Sequence, residues 1–347
     1  MAASIQFPAM SSEEGVRATN DDAAQCKRYA VDKGYWQDPY IKLFTSRGQQ
    51  NHAPEISIGY YAHGKCQIVS IGAGFDTLFW NLKDAGINVT SFIEVDFSAV
   101  TSRKIHSIRR SQVLLQKITN EDEEIRFSTT DLHGKDYHLV AANLKNLKDF
   151  NKKLGECGID KTLPTIFIAE CVLVYIEKDC TDALLKWTVD NFSTVFFVNY
   201  EQVNMGDKFG EVMMENLRSR ECMLHTEYCA SIDTQIQRMS SQGFEGADAM
   251  EMRHVLYRLP QNDVMRFSMS CVVMRFSSRR IFFEMGVWLA WNIFPPSGDT
   301  VLRSPGLGRV ECRSLVAVCR SPAPSGLARE SEDTDRMLPD VARTHFH

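Results

Sequence analysis

The chain has 347 residues, 44% of them hydrophobic and 24% charged, enough to bury a sizeable core in one large domain or two small ones. A net charge of −5 and a pI near 6.0 supply no basic field of the kind that nucleic acid or an anionic membrane requires, so neither is an expected partner. The ten cysteines form no C-x-x-C pair, and the first thirty residues hold no basic-then-apolar leader; the reading is of reduced thiols in a cytoplasmic protein without a zinc site.

In chain order, "DDAAQCKRYAVDKG" predicts an amphipathic helix capped at Asp21 or Asp22 and closed by Gly34, with residues 1–20 disordered ahead of it. Pro39, in "GYWQDPY", is expected to end a helix, and the aromatic residues beside it to pack in the core. Short apolar runs then alternate with helical patterns. "CQIVSI", "TSFIEV", "YHLVAA", "TIFIAE" and "STVFFVNY" read as strands, with "FSAVTSRKIHSIRRS", "LKDFNKKLGECG" and "KDCTDALLKWTVDNF" as helices between them. Strands with so little polar alternation must be covered on both faces, which predicts an α/β fold: a mostly parallel sheet with helices on either side. Two more helices follow in "GDKFGEVMMENLRSREC" and "SIDTQIQRMSSQG". The first domain is thus set at 21–262. The remainder, 263–347, is rich in Pro, Gly, Ser and Arg without a clean period and is read as a poorly ordered tail. Within it "IFFEMGVWLAWNIF" is too short to span a bilayer and contains Glu284.

In an open parallel sheet the ligand lies beyond the carboxyl ends of the strands, so the residues closing each strand carry the chemistry. Here they are Gly72 and Gly74, Asp96, Asn143, and Glu170. A glycine turn lets backbone approach a ligand, and an acid closing the second strand can accept both ribose hydroxyls; together they point to an adenosine nucleoside. The dinucleotide fingerprint wants a third glycine where this chain has Thr77, which disfavours NAD and FAD. S-adenosylmethionine, without phosphates, needs only the turn and the acid, and its positive charges suit Glu170. Plainer roles stay open: an ordinary strand-to-helix turn for Gly72 and Gly74, a helix cap for Asp76, a salt-bridge partner for Glu170, and a solvated surface charge for Lys27. His63, His106 and His133 lack metal-ligand spacing, and no metal is expected. There is no G-x-S-x-G elbow, Walker loop or H-E-x-x-H motif, which excludes the common hydrolase and kinase readings.

Several segments together resemble the leucine carboxyl methyltransferase family: "CKRYAVDKGYWQDPYI", "APEISIGYYA", "CQIVSIGAGFDTLFWNLKD", "FIEVDF", "LPTIFIAECVLVY" and "NYEQVNMGDKFGEVMMENLRSRECML". The resemblance implies a Rossmann-like S-adenosylmethionine-dependent methyltransferase fold. It implies a monomeric enzyme that methylates the C-terminal leucine of the protein phosphatase 2A catalytic subunit. Carried onto this chain, the family's cofactor contacts fall on Lys27, Gly72, Asp96, Asn143, Leu144 and Glu170, with Tyr175 and Tyr200 as expected contacts of the substrate tail. No side chain is assigned as an acid or base, because a terminal carboxylate, with a pKa of about 3.3–3.7, is already a nucleophile at neutral pH. The chain departs from the family in three places. It has "NL" for an aspartate-leucine pair at 143–144. It passes from "GYYA" to "HGKCQIV" without the family's donor-binding arginine and the helix after it, leaving His63 in that place. After about residue 262 it has no family match, so the family's closing hairpin is expected to be lost. These departures imply, as the alternative, a catalytically impaired form that binds the phosphatase without methylating it.

Overall fold

A computed structural model describes residues 12–32, 38–45, 66–119, 124–251 and 314–320. Helix α1 (Ser12–Asp32) begins well before the expected cap at Asp21, so residues 12–20, expected to be disordered, form its first turns. The short α2 (Ile41–Phe44) starts just after Pro39 instead of ending there. The Asp38 carboxylate accepts the backbone N–H groups of Tyr40 at 2.9 Å and Ile41 at 3.2 Å. An Asp ahead of a Pro is a natural helix entry, since proline's fixed φ suits the first turn.

The five strands read from the sequence are β1 (Gln67–Ile71), β2 (Ser91–Asp96), β5 (Tyr137–Ala141), β6 (Thr165–Glu170) and β7 (Val195–Gln202). They run parallel in the order β5-β2-β1-β6-β7, the doubly wound arrangement whose chain reversal falls between β1 and β6. Two ultrashort strands, β3 (Arg126–Phe127) and β4 (Leu132–His133), add an antiparallel fringe beside β5; at two residues each they carry no readable alternation.

The sheet is dry on both faces, as its continuous apolar strands require. On one face Ile68, Phe92 and Ile166 pack against α3 (Leu78–Asp84), α4 (Ser98–Arg110) and α5 (Gln112–Ile118) through Phe79, Trp80, Ile105 and Leu114. On the other, Val69, Ile93 and Phe167 meet Phe150 and Leu154 of α6 (Leu147–Glu156) and Leu184 and Leu185 of α7 (Lys178–Asn191). A third cluster joins Val174, Met213, Leu217 and Tyr228 with Val16 of α1. It draws α8 (Lys208–Ser219) toward the start of α1 and the single 3₁₀ turn Leu173–Tyr175 that follows β6.

The carboxyl-terminal part corrects the expectation of a lost closing hairpin. After α9 (Ile232–Ser241), β8 (Gly246–Glu251) pairs antiparallel with β9 (Ser314–Arg320), which pairs antiparallel with β7 in turn. The atypical segment therefore returns one strand to the nine-stranded sheet and covers the edge of β7. The rest of 263–347 lies outside the described residues. Among the described residues no helix is long and apolar enough to cross a membrane.

Candidate active site

The glycine turn, the end of β2 and the loop after β6 converge at the carboxyl edge of the sheet, where β1 and β6 part. Gly72 and Gly74 both take left-handed backbone conformations, with φ of +62° and +53°. The turn folds back onto β2: the Gly72 N–H donates to the Val95 carbonyl at 2.8 Å, and the Gly74 N–H donates to Asp96 Oδ2 at 2.7 Å. The other Asp96 oxygen accepts the Phe97 N–H at 2.7 Å. A carboxylate oxygen has two acceptor positions, so Asp96 is oriented by backbone and retains capacity for two hydroxyl donors. Burial raises its carboxyl pKa, an effect opposed by those two N–H groups.

Close packing leaves no room for side chains in the turn. A methyl group on Gly72 would come 2.4 Å from Cγ2 of Val172, in the "AECV" loop after β6, and one on Gly74 would come 2.4 Å from Oδ1 of Asn20 on α1. Both neighbours therefore rest directly on the turn. Glu170 closes β6, exposed, and pairs in register with Tyr200 on β7. Tyr175 ends the 3₁₀ turn. Burial pushes its pKa well above the ordinary phenol value. The structure thus sets Gly72, Gly74 and Asp96 in one hydrogen-bonded unit, with Glu170, Tyr175 and Tyr200 at the ends of the neighbouring strands.

Asn143 and Leu144 lie just past β5. The Asn143 side chain accepts the Lys145 N–H at 3.0 Å in a local turn, while Leu144 is buried in the core under α6. Lys27 is no surface charge. It is 5% exposed, its ammonium lying 2.9 Å from Asp76 Oδ1 and 3.4 Å from Asp38 Oδ2. Asp76 combines this pairing with the plain capping role, accepting the Thr77 N–H at 2.7 Å and the Leu78 N–H at 3.2 Å. Burial by itself would raise the Asp76 pKa, but Lys27 and Lys104 hold it below the usual value. His63 and the segment that lacks the family's arginine lie outside the described residues.

Sequence reasoning missed the polar network under this turn. Thr77, noted only for not being glycine, is fully buried and donates its hydroxyl to Asp38. Lys104 is fully buried inside α4, pairs with Glu94 and donates to the Asp76 carbonyl at 2.7 Å, and Tyr137 donates to Glu94 at 2.9 Å. Desolvation lifts the Glu94 pKa to about 7. Glu201, in "NYEQ", is likewise fully buried and accepts the Val174 N–H at 2.5 Å, fixing the 3₁₀ turn; burial lifts its pKa to about 7. The available signal was a charge at an inward position of an apolar strand, as in "SFIEV", since a buried acid needs a partner.

The description "Leucine carboxyl methyltransferase" is that of a family model matching residues 55–189. The chain is 40% identical over 293 residues to leucine carboxyl methyltransferase 1 of Bos taurus, covering 77% of this chain and 88% of that one. It is 40% identical over 283 residues to leucine carboxyl methyltransferase 1 of Caenorhabditis elegans, covering 74% and 85%. It is also 31% identical over 260 residues to tRNA wybutosine-synthesizing protein 4 of Homo sapiens, covering 68% of this chain but 38% of that one. With its strand-end glycines and acid, the chain belongs to the leucine carboxyl methyltransferase family and is an S-adenosylmethionine-dependent carboxyl methyltransferase.

Proposed function

We propose that this protein esterifies the α-carboxylate of the C-terminal leucine of the protein phosphatase 2A catalytic subunit, as a monomer in the cytoplasm. The observation that carries the reading is the Gly74–Asp96 unit at the carboxyl edge of the sheet: a backbone turn without room for side chains, joined to an oriented carboxylate. That unit suits the ribose of a nucleoside donor, and the family match supports the carboxylate acceptor.

Asp96 would take the two ribose hydroxyls, Gly72 would let the donor approach the backbone, and Asn143 with Leu144 would border the adenine. Asn143 can donate and accept there without adding charge. Glu170 would face the donor's positive end. Lys27, held by Asp38 and Asp76, would act by keeping α1 fixed on the turn, and Tyr175 and Tyr200 would line the path of the leucine tail. Bound S-adenosylmethionine supplies an electrophilic methyl group to an acceptor already ionised at neutral pH. The chain's task is alignment of the carboxylate and exclusion of water, which explains a site without an assigned general base.

Incubation with methyl-labelled donor and a peptide ending in the phosphatase's C-terminal leucine should yield a base-labile methyl ester. The same peptide with an amidated terminus should yield none. Label entering tRNA instead would overturn the reading; the net charge of −5 argues against that substrate. A second reading, a form that binds the phosphatase without methylating it, draws on Asn20 of α1 being seated against Gly74, so that the donor must be admitted beside α1. Capture of the phosphatase with no ester formed would favour it.

A further inference from the structure

Away from the donor site, the fold brings two histidines five residues apart on one hairpin together with a cysteine from the end of the following helix. His133 on β4 and His138 on β5 are directly opposed in the antiparallel register, so both rings project from the same face of the hairpin. Their Nδ1 atoms lie 3.2 Å apart. Cys157, buried, is the residue that ends α6. One ligating atom from each of the three lies within 4.8 Å of the other two.

We propose that His133, His138 and Cys157 form a two-histidine, one-cysteine site for Zn²⁺ that fastens the β4–β5 hairpin to the end of α6. The spacing is close to what the ion demands: Zn–N bonds of about 2.0–2.1 Å at a tetrahedral angle place two nitrogens about 3.4 Å apart. Closing the thiolate to its bonding distance takes a shift of about an ångström, within reach of a cysteine rotamer. Imidazole and thiolate are the ligands a borderline-soft cation selects over Mg²⁺ or Ca²⁺. Three protein donors leave the fourth position to water.

The supports are rigid ones. The two histidines are held by the hairpin ladder. Cys157 is held by its N–H, which donates to the carbonyls of Lys153 and Leu154 in the last turn of α6. Without metal, the short Nδ1 contact means that one ring carries its proton on Nδ1. Moving that proton to Nε2 frees both facing nitrogens, and the thiol proton leaves to solvent as the Zn–S bond forms. Asp131 and Glu156 bring negative charge within range of His133 and Cys157, against Arg126 and Lys153. Because α6 runs antiparallel to β5, its end lies toward the amino edge of the sheet, opposite the donor site, so the ion would join hairpin to helix and take no part in methyl transfer.

The sequence reading expected no metal because it weighed His133 without His138, although His133-x4-His138 is a ligand spacing. The register of β4 on β5 turns both rings to one face, and the return of α6 supplies the third donor.

The test is Co²⁺ titration of the full chain, followed by competition with Zn²⁺. One equivalent should give a thiolate-to-cobalt charge-transfer band with tetrahedral d–d absorption, and Zn²⁺ should abolish both. Cys157→Ser should remove the charge-transfer band. His133→Gln, at a half-buried position that tolerates an amide, should weaken binding at least tenfold with an unchanged circular dichroism spectrum. The chain holds ten cysteines, so the variants carry the decision. A band that persists in Cys157→Ser, unchanged affinity in His133→Gln, or no stoichiometric binding by the folded wild-type chain would each overturn the proposal.

Discussion

The Lys27 ammonium stands between two carboxylates, Asp76 at 2.9 Å and Asp38 at 3.4 Å, and so ties helix α1 to the glycine turn after β1 and to the start of α2. Removing the cation would leave two acids in a shielded site with one partner fewer. Lys27→Met should therefore destabilise the fold by about 3–5 kcal/mol. Urea denaturation measures it, and a loss below about 1 kcal/mol would show that the pairing is peripheral.

Gly72 is constrained twice, by its φ of +62° and by Val172. Gly72→Ala should cost at least about 1 kcal/mol from backbone strain, with a further penalty from the clash. Adding Val172→Ala should recover the clash and not the strain. A double-mutant cycle on stability reads the two apart; strict additivity would rule out the contact.

For Asp96 the relevant quantity is donor affinity. Asp96→Asn keeps an acceptor for the Gly74 N–H but loses the charge and one acceptor oxygen. S-adenosylmethionine binding should weaken by roughly 10–100-fold, the worth of about 1.5–3 kcal/mol for hydrogen bonds to a charged group. Calorimetry showing equal affinity would remove Asp96 from the donor site.

Glu201 gives a pH signature. Its pKa is about 7 in the fold against 4.5 for an unperturbed glutamate, raised by burial, so the folded state binds the extra proton between these values. Its contribution is fully present below pH 4.5, declines as pH rises toward 7 and is gone above it, a change of about 3 kcal/mol. Glu201→Gln removes this titration. The stability difference between wild type and variant should thus fall across that window, as followed by denaturation at several pH values; a flat difference from pH 4 to 8 would refute it.

Ala317 tests the returning strand. It pairs with Asn199 of β7 on one side and Ala249 of β8 on the other, so its N–H has a ladder partner. Ala317→Pro deletes that donor within a covered strand, at a cost on the order of 1–3 kcal/mol. The melting midpoint should drop by roughly 5 °C, with more aggregation as the β7 edge opens. An unchanged melting curve would show that β9 contributes nothing.

Much of this molecule is written locally. "CQIVSI" and "TIFIAE" are apolar throughout because both sheet faces are covered, and that pattern is readable without knowing what covers them. The positions of the glycine turn and of Asp96 at the strand ends are legible because an apolar run breaks there into glycine or acid. Helix α1 was placed too late because its first turns have a weak apolar stripe and are held by packing of Val16 against the third cluster. β9, "SLVAVCR", is itself an apolar run, but it was missed because it sits amid Pro-, Gly- and Ser-rich sequence and nothing local points to the distant strands that accept it.

The sequence by itself determined the alternating α/β order and the family, since each rests on residue types at short, fixed spacings. Only the tertiary structure decided that Lys27 is buried between two acids, that Thr77 serves Asp38, that Glu201 holds the turn before Tyr175, and that His133 meets His138 and Cys157. All but the His133–His138 contact join residues far apart in the chain, and what selects them is the cost of burying a charge or polar group without a partner, which is settled when the layers close on one another.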